Sequence, residues 1–256
     1  MISPVLAHLI LHFSMRILVI SDIHANLTAL EAVLTDAGTI EGVWCTGDLV
    51  GYGPDPNEVI TLIRKLPGLV CLLGNHDAAA LMHIDTESFN PEARMALDWT
   101  RHALSLESVI FLQNLSELAE MEQVTLVHGS PRQPVWEYLL DTRTATLNFG
   151  FFDTPYCFVG HTHLPVLYNF TDGALMAKLV IPDPMMQLSL TPRAILNPGS
   201  VGQPRDRDPR AAYAIYDTAE STWEYRRVAY DIPSVQERMA NFGLPERHIQ
   251  RLSTGW

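Results

Sequence analysis

The sequence predicts an α/β fold in which strands from both halves of the chain are layered as a sandwich with helices outside. Three observations lead there. Between Arg16 and Leu73, apolar runs alternate with helix-periodic stretches in the order βαβαβ, which argues for a parallel, helix-covered sheet. The C-terminal half is mostly short β-type runs. No repeat or low-complexity linker divides the 256 residues, which are enough for one large core.

The elements follow in order. Arg16 to Ser21 carries Ile17, Leu18, Val19 and Ile20, a continuous apolar run expected of a strand covered on both faces. Asn26 to Ala37 places Leu27, Leu30, Val33 and Leu34 on one helical face, with Asn26 as N-cap and Gly38 as the stop. Gly42 to Thr46 is a second strand. Asp55-Pro56-Asn57-Glu58 is a helix start, with Pro at the first helical position, and that helix runs to about Leu66. Leu69 to Leu73 is the third strand. From Pro91 to about Leu112 the pattern predicts one helix with Met95, Trp99, Leu106 and Ile110 among its apolar positions. Val124–Val127, Tyr156–Val159, Val166–Asn169, Ala194–Leu196, Ala212–Tyr216 and Trp223–Val228 are further strands, and one helix closes the chain after Pro233.

Composition excludes some functions. The net charge is −12, the wrong sign for general nucleic-acid binding. Cys45, Cys71 and Cys157 lie in apolar runs without a CxxC pair, as expected for reduced core residues of a cytoplasmic protein. The apolar stretch at residues 4 to 13 contains His8 and His12, lacks preceding Lys or Arg, and is too short to cross a bilayer. Residues 1–14 read as an extension outside the chemistry, and residues 15–256 as the domain. No membrane partner is expected, and a homo-oligomer is left open.

Polar residues collect at strand ends. Ser21-Asp22-Ile23-His24, Gly47-Asp48, Gly74-Asn75-His76-Asp77, His128-Gly129 and Gly160-His161-Thr162-His163 each follow a predicted strand. The carboxyl ends of parallel strands are where α/β folds place their sites. Five of the ten histidines are there. Asp22, His24, Asp48, Asn75, His128, His161 and His163 form a set of imidazole nitrogens and hard oxygens without thiolate. That set suits two divalent ions such as manganese, iron, zinc, nickel or cobalt rather than calcium or a structural zinc; the donors do not choose among these ions, and manganese is taken as the first candidate. Two such ions ~3.5–4 Å apart need a bridging ligand, which a carboxylate can be, and a bridging hydroxide between them can attack phosphorus.

In this order, D-x-H, GD, GNHD, His-Gly and GHTH resemble the calcineurin-like metallophosphoesterase superfamily. The segments SDIHANLTALEAVL, GDLVGYGPDPNEVI and NPGSVGQPRDRDPRAAYAIYD are similar to its bacterial and archaeal predicted-phosphodiesterase branch. The resemblance implies a four-layer αββα sandwich of two mixed sheets. It implies that Asp22, His24 and His163 hold one metal, that Asn75, His128 and His161 hold the other, and that Asp48 bridges. It implies that His76 contacts the phosphate and protonates the leaving oxygen, and that Asp77 orients His76. The activity implied is hydrolysis of a small phosphodiester or phosphomonoester by a metal-bridging hydroxide. Within the superfamily, a protein Ser/Thr phosphatase is the alternative. From another class, a catalytically silent metal-binding scaffold is a further alternative, which the full set of ligands and His76 disfavours.

Arg205, Arg207 and Arg210 lie in a turn-rich loop. Arg205 is a candidate substrate contact, because guanidinium clamps phosphate; the bland reading pairs these arginines with Asp206 and Asp208. Tyr52 could line the pocket mouth or pack on the surface. Residues 79 to 112 are expected to form a helical insert that covers one side of the site and limits substrate size.

Overall fold

A computed structural model describes residues 14–256. The assigned extension, residues 1–14, lies outside that range but for Ser14, whose hydroxyl donates to Asp217 Oδ2 at 2.8 Å. The chain runs β1 (Arg16–Ile20), α1 (Leu27–Ala37), β2 (Gly42–Cys45), α2 (Pro56–Ile63), β3 (Val70–Cys71), α3 (Asn75–Ala80), α4 (Pro91–Ala103) and α5 (Leu106–Gln113). It continues with β4 (Leu118–Glu120), β5 (Val124–Val127), α6 (Thr142–Asn148), β6 (Tyr156–Phe158), β7 (Pro165–Asn169), β8 (Lys178–Val180) and β9 (Gln187–Ser189). β10 (Ala194–Pro198), β11 (Ala211–Asp217), β12 (Thr222–Val228), α7 (Ile232–Asn241) and α8 (Glu246–Thr254) complete it.

Two six-stranded mixed sheets result, in the orders β3-β2-β1-β11-β12-β9 and β4-β5-β6-β10-β7-β8. Strands β1, β2 and β3 pair in parallel, as the βαβαβ order predicts, and β11 adds antiparallel to β1. The continuous apolar run of β1 is divided by the pleat. Ile17 and Val19 pack between the sheets with Trp44, Phe158, Tyr216 and Trp223. Leu18 and Ile20 point the other way, onto Leu30, Val33 and Ile60 of α1 and α2. A third cluster, with Ala145, Phe149, Cys157 and Ile195, covers the outer face of the second sheet. The layers are therefore helix, sheet, sheet, helix. Each fully buried Leu or Ile in them contributes roughly 2 kcal/mol by leaving water.

Caps set the helix boundaries. The Asn26 side chain accepts from Ala29 N at 3.1 Å and starts α1. The helix expected from Pro91 to Leu112 is two helices. Leu104 is extended and Ser105 caps a new helix by accepting from Ser108 N. α4 buries Ala93, Ala96, Leu97 and Thr100, whereas Met95, Leu106 and Ile110 are exposed. Small residues let the helix approach the core, and of the four larger apolar residues named from the sequence Trp99 alone is half-buried, against the cluster of Val235 and Met239. The third strand is shorter than predicted, because Leu72 N makes the last bond to β2, to Cys45 O at 3.0 Å, and Leu73 N donates instead to Ser116 O at 2.9 Å. The closing helix is also two, broken at Gly243 with φ of 69°. All three cysteines are free, with Cys45 and Cys157 buried and Cys71 half-buried. Among the described residues, no helix is long and apolar enough to cross a membrane.

Candidate metal centre

The loops leaving β1, β2, β5 and β6 converge at one end of the two sheets. Asp22, His24, Asp48, His161 and His163 all adopt positive φ, between 48° and 65°. Non-glycine residues are rarely held there, and such strain clusters where side chains must aim at one point. Two groups form: Asp22, His24 and His163, and Asp48, His128 and His161, each with its donor atoms within 4.8 Å of one another and every residue buried. Asp48 lies between them, its Oδ2 3.7 Å from His24 Nε2 and 3.4 Å from His128 Nε2. Asn75 Oδ1 is 3.0 Å from His128 Nε2.

Backbone carbonyls orient the rings. His24 Nδ1 is 3.0 Å from Val50 O, His163 Nδ1 is 2.6 Å from Gln203 O, and His128 Nδ1 is 2.9 Å from Thr46 O. A carbonyl can only accept, so each Nδ1 carries a proton; in neutral His24 and His163 the Nε2 then presents a lone pair inward, whereas His128 Nε2 faces the Asp48 carboxylate and Asn75 Oδ1. Yet His24 Nε2 and His163 Nε2 face each other at 3.1 Å. Two lone pairs at that distance repel, whereas a cation beside them would be ligated by both. The carboxylates point the same way. Asp22 Oδ2 accepts from Ser21 Oγ and His161 N, and Asp48 Oδ1 accepts from His76 N, but Asp22 Oδ1 and Asp48 Oδ2 are buried without a partner. Unspent buried carboxylate oxygens are costly unless a cation takes them. The residues present thus fit two cations. His161 differs: its Nε2 donates to Trp136 O at 3.2 Å, which leaves the unprotonated Nδ1 to offer its lone pair.

Electrostatics sort the groups. Burial lowers His24, His76 and His161 to about 3 and His163 well below its usual value. Burial also opposes charge on His128, but the Asp48 carboxylate outweighs it and raises that ring to about 9. Asp48 is held well below the usual carboxylate range, against its burial, by His128 and His76. A ligating imidazole must be neutral, so a cation at His128 displaces a proton.

His76 sits at the N-terminus of α3, 4.4 Å from the Tyr52 ring and 5.1 Å from Phe89. The expected pairing of Asp77 with this ring is not formed. Asp77 Oδ1 accepts from Val50 N and Oδ2 from Gly74 N, both at 3.0 Å, while His76 Nδ1 is buried without a partner. Positions 76 and 77 lie within one helix, where adjacent side chains diverge. Asp77 instead ties α3 to the loop after β2, with its own pKa raised by burial and by Asp48.

Gly74 makes that close packing workable. A Cβ there would lie 2.0 Å from Asp48 Oδ1 and 2.3 Å from Asp48 N. The backbone cannot yield locally, so Gly74→Ala should cost about 3 kcal/mol. For a chain of this size that lowers Tm by about 6–12 °C. Calorimetry with metal analysis checks this: the cation content should fall together with Tm.

A cleft of about 330 Å³ opens beside Asn75 and His76. Tyr52, Phe89, Trp136 and Tyr138 wall it, and Arg205 and Arg251 reach it. Tyr52 is buried, so it lines the site rather than packing on the surface. Phe89 comes from the segment expected to form the insert. Tyr138 stacks on His161 at 3.7 Å between ring centres. Of the loop arginines, Arg210 pairs with Asp208 at 2.6 Å, and Asp206 pairs with Arg227. Arg205 pairs with neither; its Nη2 donates to Gln203 Oε1 at 3.0 Å. Trp136, Tyr138, Arg251 and the orienting carbonyls escaped the sequence reading, and only the Trp and Tyr within PVWEY, soon after His128-Gly129, gave any local signal.

His248 of α8 is 1% exposed and 4.5 Å from the Tyr52 ring. Burial, then Arg251, lowers it to about 4. A folded pKa below the unfolded value near 6.5 means that the unfolded chain binds more protons in between, so stability falls as pH drops from about 6.5 toward 4. At pH 5 this group accounts for about 2 kcal/mol. His248→Gln should reduce the fall in Tm between pH 7 and pH 5 by about 4–8 °C, measured by calorimetry at both values. An unchanged fall would rule the group out.

A model of the calcineurin-like phosphoesterase superfamily domain matches residues 15–221. A metallophosphoesterase structure from Sphaerobacter thermophilus is 46% identical, with a TM-score of 0.88, over 95% of this chain and 100% of that one. MJ0912 of Methanocaldococcus jannaschii is 38% identical over 93% of this chain and 98% of its own length. A symmetrical bis(5'-nucleosyl)-tetraphosphatase of Photorhabdus laumondii is 35% identical over 32% of this chain and 36% of its own.

Proposed function

The chain belongs to the calcineurin-like phosphoesterase superfamily and is a phosphoric ester hydrolase; from that premise we propose that it is a dinuclear, metal-dependent hydrolase of small phosphodiesters or phosphomonoesters. The observation that carries the reading is the pair of imidazole nitrogens, His24 Nε2 and His163 Nε2, locked face to face at 3.1 Å by carbonyls behind them. Asp22, His24 and His163 would hold one divalent ion. Asn75, His128 and His161 would hold the second, with Asp48 shared. When bound, such ions acidify a water nucleophile and neutralise charge on phosphoryl oxygens, and manganese, iron, zinc, nickel and cobalt all suit the donors.

The chain's own groups do the rest. Asn75 and His76 face the cleft and would fix the phosphoryl group for in-line attack. His76 is neutral in its buried setting, and the negative charge of a phosphoester beside it raises its proton affinity. A ring protonated together with the substrate would pass that proton to the leaving oxygen. Asp77 holds the α3 N-terminus that presents His76. Phe89 and Trp136, 5.6 Å apart, narrow the cleft and favour small esters. Arg205 would contact substrate oxygens. The similarity to a relative named as a bis(5'-nucleosyl)-tetraphosphatase makes nucleotide esters the first candidates.

The test is reconstitution. Protein stripped by chelator and reloaded separately with manganese, nickel, zinc, iron(II) or magnesium should regain hydrolysis of bis-nitrophenyl or nitrophenyl phosphate with at least one ion. The preferred ester then separates diesterase from monoesterase. No turnover with two ions bound per chain would refute the reading.

A further inference from the structure

We propose that Arg205 and Arg251 form a second anion subsite, next to the candidate metal centre, which takes the phosphate adjoining the one hydrolysed and so selects condensed phosphates such as nucleoside polyphosphates. The inference rests on the phosphoesterase reading above and deepens it by naming a substrate class.

Two guanidinium groups converge on one amide. Arg205 Nη2 is 3.0 Å and Arg251 Nη1 is 3.5 Å from Gln203 Oε1. Neither arginine has a carboxylate within salt-bridge distance among the described residues, whereas Arg132, Arg226, Arg227 and Arg238 each have one. Like charges held together without a counter-ion are unfavourable, and both burial and Arg205 lower the pKa of Arg251.

The donors around this point are unspent. Arg205 Nε, Arg251 Nε and the amide nitrogen Gln203 Nε2 are buried without acceptors, and Gln203 is only 1% exposed. Gln203 faces the small cavity beside His24 and Tyr52, but Arg205 and Arg251 both line the cleft, so unspent guanidinium donors beside two positive charges suit a ligand with several anionic oxygens.

The subsite adjoins the reaction. The Gln203 carbonyl holds His163 Nδ1 at 2.6 Å. Tyr52 lies between, with the Arg205 Cζ 5.8 Å from its ring centre and the His76 ring 4.4 Å away. Asn75, His76, Arg205 and Arg251 line one cleft, so a phosphate chain with one phosphoryl group at His76 extends its next group onto the arginines. A monoester with one phosphate leaves the second position empty. Arg251 is carried by α8, beyond the residues 15–221 that match the superfamily model, so this half of the clamp is a feature of the chain's C-terminal helix.

The probes are inorganic orthophosphate and tripolyphosphate, titrated calorimetrically into chelator-stripped protein. Tripolyphosphate should bind at least tenfold more tightly. Arg251→Met, which keeps much of the apolar stem, should lower that preference at least tenfold, and Arg251→Lys should restore part of it. With reloaded enzyme, the ratio of kcat/KM for dinucleoside tetraphosphate over nitrophenyl phosphate should fall at least tenfold in Arg251→Met. Equal binding of the two anions, or a preference unchanged in Arg251→Met with native circular dichroism, overturns the subsite. Tripolyphosphate preference without turnover of any ester would instead refute the phosphoesterase reading and leave the subsite standing.

Discussion

Asp48→Asn is expected to lower kcat by about a thousandfold and to leave one tightly held cation per chain instead of the two proposed for the native protein. The substitution preserves shape, and Asn Oδ1 can still accept from His76 N as Asp48 Oδ1 does at 2.8 Å. It replaces the other oxygen with an amide donor. In the native chain that oxygen is buried, unpartnered, and 3.4 and 3.7 Å from the inward nitrogens of His128 and His24. No other carboxylate among the described residues comes within salt-bridge distance of a ring in each of the two groups. An NH₂ in that position repels a cation and removes the negative charge that both ions would share. A site filled to a hundred times its dissociation constant adds about 2.7 kcal/mol, so losing one of two should halve the rise in Tm on cation addition. Metal analysis, calorimetry and hydrolysis rates measure the three consequences separately. Two cations retained with full activity would remove Asp48 from the shared position.

His76→Gln is the second large effect, with a different signature. The ring touches no carboxylate and belongs to neither group of three, so both cations should remain bound. Loss of a proton donor to the leaving oxygen typically costs 10²–10⁴-fold in rate. The loss should be graded. Nitrophenolate leaves without help, so nitrophenyl esters should lose least, and alkyl esters, whose leaving oxygen must be protonated, should lose most. A uniform loss across leaving groups would assign His76 to phosphate positioning alone.

The motif residues were legible because their placement is local. Each sits within a few positions of an apolar strand run, and Asp22/His24 and His161/His163 are pairs two residues apart on one short turn. Strand ends in an α/β sheet share one edge, so a one-dimensional order implied a three-dimensional cluster. The superfamily resemblance read from those motifs is borne out by the matching domain model, and the four-layer sandwich by the two observed sheets. The α4–α5 break was less legible, since Leu104 and Ser105 interrupt a run that remains helix-like on either side.

By itself, then, the sequence determined the layered α/β class and the set of nitrogen and oxygen donors at its strand ends, because hydrophobic periodicity and short turns act over a few residues. Only the tertiary structure decided which way the rings face, what Asp77 holds, and which arginines the cleft receives. The carbonyls that orient His24 and His128 come from 26 and 82 residues away, and Arg251 meets Gln203 across 48. Asp77 binds backbone N–H groups because its helical turn points it away from its neighbour's ring. Such contacts arise when packed layers bring distant segments together, and no local pattern along the chain encodes them.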